Sequence, residues 1–322
     1  MTENSPQILT QTIPAEYAGK RLDQALADIF GQYSRARLQQ WIKQGDISVN
    51  GRQMRPKDKV MGGEEVVLTA VIEEQTRFEP QPIELDIVYE DEQILVINKP
   101  AGLVVHPAAG NPDGTMLNAL LHYAPELAKV PRAGIVHRLD KDTTGLLVVA
   151  RTLEAQTSLV EQLQARAFLR EYETIVSGVM TAGGTVDAPL GRHPVQRKRM
   201  AVLPTGGKTA ITHYRFIEKF PAHTHVSVKL ETGRTHQIRV HLAHIHFPIV
   251  GDQVYGGRLK LPKQCSQGLA EQLRGFRRQA LHARQLGLVH PGSGEHIQWQ
   301  QALPQDMVNL LESLRQDAKD KP

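Results

Sequence analysis

Leu22, Ala25, Leu26, Ile29 and Phe30 recur at i, i+3, i+4, i+7 and i+8, the spacing of one helix face. Gly31 ends that helix. Ser34 is placed to cap a second one, whose inner stripe is Leu38, Trp41 and Ile42 and whose end is Gly45. The period then changes to two: Ile47 and Val49 alternate with polar residues, and Asn50-Gly51 is a strong hairpin-turn signal. Gly62-Gly63 and the run Val66-Val67-Leu68 complete a small αα-β unit. We place that unit at residues 16–72, behind an N-terminal tail of residues 1–15. Residues 73–86, acidic and broken by Pro80 and Pro82, form a linker.

A second domain is expected over residues 87–315. Ile87 to Tyr89, Ile94 to Ile97, Leu146 to Ala150, Tyr172 to Val176, His213 to Phe216 and Val226 to Leu230 read as strands. Residues 153–168 read as a helix with Leu159 and Leu163 on one face, and Met307, Leu310, Leu311 and Leu314 mark another. Strands and helices intermix without a βαβ rhythm. The fold class is therefore α+β, with a mixed, largely antiparallel sheet and flanking helices.

Composition adds little until it is resolved along the chain. The 322 residues are 40% hydrophobic and 22% charged, with net charge +4. Yet residues 20–59 carry nine basic side chains against four acidic ones, residues 190–210 carry Arg192, Arg197, Lys198, Arg199 and Lys208 with no acid, and residues 256–278 set six basic residues against Glu271. Three such segments point to a polyanionic partner. A single cysteine, Cys265, excludes an internal disulfide and suits a reducing compartment. The opening Met1 to Pro6 lacks the basic-then-apolar order of a signal peptide, and no apolar run reaches the ~18 residues of a membrane span. A cytoplasmic protein is expected.

The densest chemistry lies in His137-Arg138-Leu139-Asp140-Lys141-Asp142-Thr143-Thr144-Gly145, just before a buried strand. Asp142 to Gly145 suits a side-chain-stabilised turn. Asp140 precedes that turn and is bracketed by Arg138 and Lys141, cations that favour an ionised, nucleophilic carboxylate. Chemistry alone leaves both aspartates open. A second segment, Leu230 to His241, combines Gly233, Thr235 as a helix cap, and an inner face of Ile238, Leu242 and Ile245, although alternation from Ile238 to Leu242 also permits a strand. His236, His241, His244 and His246 do not fall on one face at ligand spacing, so no metal is expected. No phosphate-cradling Gly-Lys loop or dinucleotide fingerprint is present, and no cofactor is implied.

These segments, taken in order, resemble the RluA-type pseudouridine synthases. His137 to Gly145 is similar to the central motif of that family, whose aspartate falls on Asp140. Ile97-Asn98-Lys99-Pro100 with His106-Pro107, Arg170-Glu171-Tyr172, Thr232 to His241 leading to Gly251-Asp252 and Tyr255-Gly256, and Arg278 to Ala283 match further segments. The N-terminal unit resembles the small RNA-binding domain of ribosomal small-subunit protein four. Ala109 to Thr115 and Met180 to Asp187 narrow the likeness to members that act on large-subunit (23S) rRNA.

The resemblance implies a pseudouridine synthase fold and site-specific isomerisation of uridine, without cofactor or metal; the sequence leaves the oligomeric state open, and a monomer is expected. It makes Asp140 the nucleophile, pairs Arg239 with it, and stacks Tyr172 on the uracil. Arg138 would hold the flipped base out. Ile238, Arg197 and Arg199 would contact substrate, as would Arg35, Arg37 and Lys43 in the small domain. Another structured RNA such as tRNA, an aspartate-dependent nucleosidase, and an inactive rRNA-binding factor are the alternatives. Released uracil would mark the second and binding without conversion the third.

Overall fold

Apolar stripes build two separate cores in the computed structural model, which describes residues 7–31, 33, 35–70, 78–108, 110–196 and 199–320. The chain divides between Arg77 and Phe78 into two compact units.

In the first unit, β1 (Gln7–Thr12), α1 (Leu22–Ile29), α2 (Arg35–Gln44), β2 (Ile47–Val49) and β3 (Glu65–Ala70) follow in chain order. The antiparallel sheet runs β1-β3-β2. Leu22 and Leu26 from α1 and Leu38 and Ile42 from α2 are buried with Ile47 and Leu68 of the sheet. Asn50 and Gly51 take φ of 49° and 70°, the left-handed pair that a two-residue turn between twisted strands requires. The expected N-terminal tail is corrected here: Gln7 to Thr12 pairs with β3 along its whole length. Its polar, weakly alternating sequence hides an edge strand. Ser34, the expected cap of α2, lies outside the described residues, as do residues 73–77 of the acidic linker.

Fully buried Asp23 ties the two helices together, accepting hydrogen bonds from Arg21, from Arg35 at 2.8 Å and from Gln39. Burial pushes this carboxyl up, but the three donors outweigh it and hold it at about 2.

The second unit opens with β4 (Ile87–Glu90), β5 (Ile94–Lys99), α3 (Met116–Tyr123), β6 (Thr144–Ala150), α4 (Leu153–Gln164) and β7 (Leu169–Ser177). It continues with β8 (Gly184–Asp187), β9 (Leu190–Arg192), β10 (Met200–Val202), β11 (Ile211–Lys219), β12 (His223–Leu230) and α5 (Gln237–His244). The remaining elements are α6 (Gln267–Gly275), β13 (Leu281–Val289), β14 (His296–Gln300) and α7 (Gln305–Lys319). The main sheet has the order β4-β5-β6-β13-β7-β12-β11-β8, with β14 on β13. Among the described strands of this sheet only β6 and β13 run parallel, so the sheet is mixed and largely antiparallel.

Every residue of β6 is buried, which is why its sequence is apolar on both faces. Gly145 sits where β6 meets β13: its φ is 109°, and a Cβ there would lie 2.3 Å from the Ala283 carbonyl oxygen. Glycine is therefore required at the entrance to the central strand. The helix expected over 153–168 stops at Gln164, because Arg166 turns the chain with φ 59° into β7. β13 and α3 were not anticipated.

Candidate functional site

The loop entering β6 and the segment linking β12 to α5 converge on a cavity of about 880 Å³. A backbone hydrogen bond from Thr143 N to the Asp140 carbonyl closes a turn over Lys141 and Asp142. Asp140 thus begins the turn rather than preceding it, and its side chain lines the cavity whereas that of Asp142 does not. Buried Lys99 fastens the turn from behind, donating to the carbonyls of Pro100 at 2.7 Å, Leu103 at 3.0 Å and Lys141 at 2.9 Å. Burial pulls this ammonium down to about 7, against the opposing charges of Asp142 and Asp140.

Helix α5 brings Arg239 to Asp140, with Nη1 3.0 Å from Oδ2. The other edge of the guanidinium is held by Asp252, which accepts from Nε at 2.7 Å and from Nη2 at 2.9 Å. Arg239 and Asp252 are 6% and 3% exposed, so this fork cannot be traded for water. Burial would raise the Asp252 carboxyl, but Arg239 and the N–H groups of Tyr255 and Val254 hold it below its usual range. The resulting chain, Asp252 to Arg239 to Asp140, orients the carboxylate through two rigid steps.

The α5 cap differs from expectation. Thr235 does not cap the helix; His236 occupies the N-cap in a left-handed conformation, φ 57°. Gln237 ties the preceding turn, accepting from Arg234 N and Thr232 Oγ1. His236 Nε2 lies 3.8 Å from Asp140 Oδ1, and its Nδ1 is 2.8 Å from the Tyr255 hydroxyl, which accepts from Met200 N. Burial lowers the His236 pKa, leaving a neutral imidazole at pH 7. His241 is buried between Thr212 Oγ1 and the Ala188 carbonyl, while His244 and His246 are exposed. The four histidines thus take separate places.

Tyr172, 7% exposed on β7, lines the same cavity. Burial pushes its phenol upward and the charge of Asp140 adds to that, with Arg170 opposing. Ile238 is buried against the cavity, and Arg138 is exposed at its edge. Five expected residues, Asp140, Tyr172, Arg239, Arg138 and Ile238, therefore meet. Arg199 is one step removed: it donates to the Val254 carbonyl and lies 5.8 Å from the Tyr255 ring. Arg197 and the side chain of Arg37 lie outside the described residues.

In the other unit Lys43 is exposed on the last turn of α2, whereas Arg35 is already engaged by Asp23. Asp23 is buried and recruits the nearest guanidinium, while the Arg35 side chain stays 45% exposed. Asp252, His236, Tyr255 and Lys99 carried no assigned role in the sequence. All four fell within segments that resemble the family, and Lys99 also stood out as a charged residue closing the apolar run of β5.

The arrangement offers a carboxylate paired with a guanidinium, an aromatic surface and surrounding cations within a cavity large enough for a nucleotide. A family model described as RNA pseudouridylate synthase matches residues 93–244, and one described as S4 domain matches residues 20–66. Ribosomal large subunit pseudouridine synthase D of Escherichia coli (strain K12) is 61% identical over 310 residues, covering 96% of this chain and 95% of that protein. The protein of the same name from Pseudomonas aeruginosa is 61% identical over 95% of both chains. Among solved structures, human RNA pseudouridylate synthase domain containing 4 aligns at TM-score 0.56 and 29% identity, over 71% of this chain and 93% of its own.

Proposed function

Since the chain belongs to the RNA pseudouridylate synthase family, we propose that it isomerises uridine to pseudouridine in large-subunit (23S) rRNA, with Asp140 as nucleophile. The observation that carries the role of Asp140 is its carboxylate on the cavity wall, fixed by a buried Arg239 that is itself held by Asp252.

The chemistry needs nothing beyond this set. The N1–C1′ bond breaks, the uracil turns, and a C5–C1′ bond forms; C5 loses a proton and N1 gains one. No electron is transferred overall and no water is consumed, so a carboxylate acting on the ribose and a surface that holds the free base are sufficient. Tyr172 supplies that surface, Ile238 closes it, and Arg138 occupies the space the uridine leaves when it flips out. The exposed cations of the small unit, Lys43 among them, add affinity for the phosphate backbone. We place the protein in the cytoplasm as a monomer.

The test uses large-subunit rRNA labelled with tritium at uridine C5. Conversion releases tritium and produces pseudouridine in the digested nucleosides. Release of free uracil would instead reveal hydrolysis, and binding without tritium release would reveal an inactive RNA-binding protein.

A further inference from the structure

Arg170 is a buried cation that forms no ion pair among the described residues. It lies on β7, two residues before Tyr172, and alternation along the strand gives both side chains the same face. Both line the cavity. The residue is 7% exposed, yet its guanidinium makes one hydrogen bond, from Nη2 to the Glu231 carbonyl at 3.1 Å. Its Nε is buried and without a partner.

Each nearby carboxylate is accounted for elsewhere. Glu171 and Glu173 point to the opposite face of the strand, and Glu173 binds His225 and Arg284. Glu231 directs its carboxylate to Arg166 and His213. The space for Arg170 is itself constructed: a Cβ on Gly233 would lie 2.7 Å from Nη1, so glycine there admits the guanidinium. A guanidinium carries five N–H donors, and burying one without an anion is unfavourable by several kcal/mol. Such a group is stable only because the remainder of the fold supports it, and a cavity is where an anion can reach it.

We propose that Arg170 binds a phosphodiester of the RNA next to the flipped uridine, with the target phosphate as the missing counter-ion of this cavity. The inference rests on the RNA-modifying reading above. Phosphate is the anion RNA offers, its paired oxygens match the guanidinium fork, and the position beside Tyr172 puts it within a nucleotide of the stacked base.

The experiment compares full-length wild type with Arg170→Met and Arg170→Lys, using an rRNA fragment that the wild type converts. Thermal unfolding is measured without RNA, and Kd is measured from 50 to 300 mM KCl. Arg170→Met should unfold at the wild-type temperature or above it, since it removes an unpaired buried charge. It should bind about tenfold more weakly at 100 mM KCl, with a log–log salt slope shallower by about 0.7 to 0.9. Arg170→Lys should keep the wild-type slope. A destabilised or unfolded Arg170→Met with the slope intact would overturn the proposal in favour of a structural arginine. Weaker binding by the same factor at every salt concentration would also overturn it, pointing to a neutral acceptor such as a uracil carbonyl. If the wild type converts no RNA, the parent reading fails and not this one alone.

Discussion

Raising the pH from 7 to 9 should stabilise the catalytic unit, and Lys99 should account for the gain. The unfolded lysine holds its proton to about 10.5, whereas burial lowers the folded group to about 7. Between these values the unfolded state binds more protons, so stability rises with pH. The contribution is complete above the unfolded pKa and is lost as the pH falls through the folded one. At about 1.4 kcal/mol per pH unit, allowing for partial titration at pH 7, the gain between pH 7 and 9 is about 2 kcal/mol. Lys99→Met abolishes this term and leaves the carbonyls of Pro100, Leu103 and Lys141 without a donor, at about 1–3 kcal/mol for each that water cannot reach. The assay is urea unfolding followed by Trp299 fluorescence in a Trp41→Phe background, since those are the two tryptophans of the chain. The difference in unfolding free energy between wild type and Lys99→Met should grow by about 2 kcal/mol from pH 7 to pH 9. Parallel pH dependences for the two proteins would refute the reasoning.

Asp252→Ala strands Arg239 with one partner, and breaking a buried pair of this kind should cost the catalytic unit about 3–5 kcal/mol. The same urea titration reads it, conversion should fall with it, and an unchanged midpoint would contradict the anchoring role. Gly145→Ala forces a left-handed alanine against the Ala283 backbone and should destabilise the unit by at least about 1–3 kcal/mol; a wild-type midpoint would show that β6 and β13 can separate there. Lys43→Gln should weaken rRNA binding and flatten the log–log salt slope by about 0.7 to 0.9, whereas an identical slope would mean that this end of α2 faces no phosphate.

Much of this was legible in the sequence where local periodicity decides the structure. The stripes of α1 and α2, the continuous apolar β6 and the α7 stripe all report burial directly, and the motif around Asp140 stands at the mouth of the most buried strand. Long-range pairing was not legible. Asp252 holds Arg239 only because the chain doubles back after α5, and no spacing rule predicts that. The left-handed His236 displaced the more conventional cap Thr235, and the left-handed Arg166 ended α4 early. Arg170 lay before the expected strand Tyr172 to Val176 and was named only within a matching family segment, since the lack of a carboxylate partner is a property of the folded surroundings.

The central claim is that Asp140, and not Asp142, is the nucleophile. Asparagine preserves size while removing the charge, so tritium release from C5-labelled rRNA separates the two roles. Asp140→Asn should release no tritium while binding the RNA and unfolding close to wild type, and Asp142→Asn should remain active. Normal turnover by Asp140→Asn alongside a dead Asp142→Asn would contradict the account.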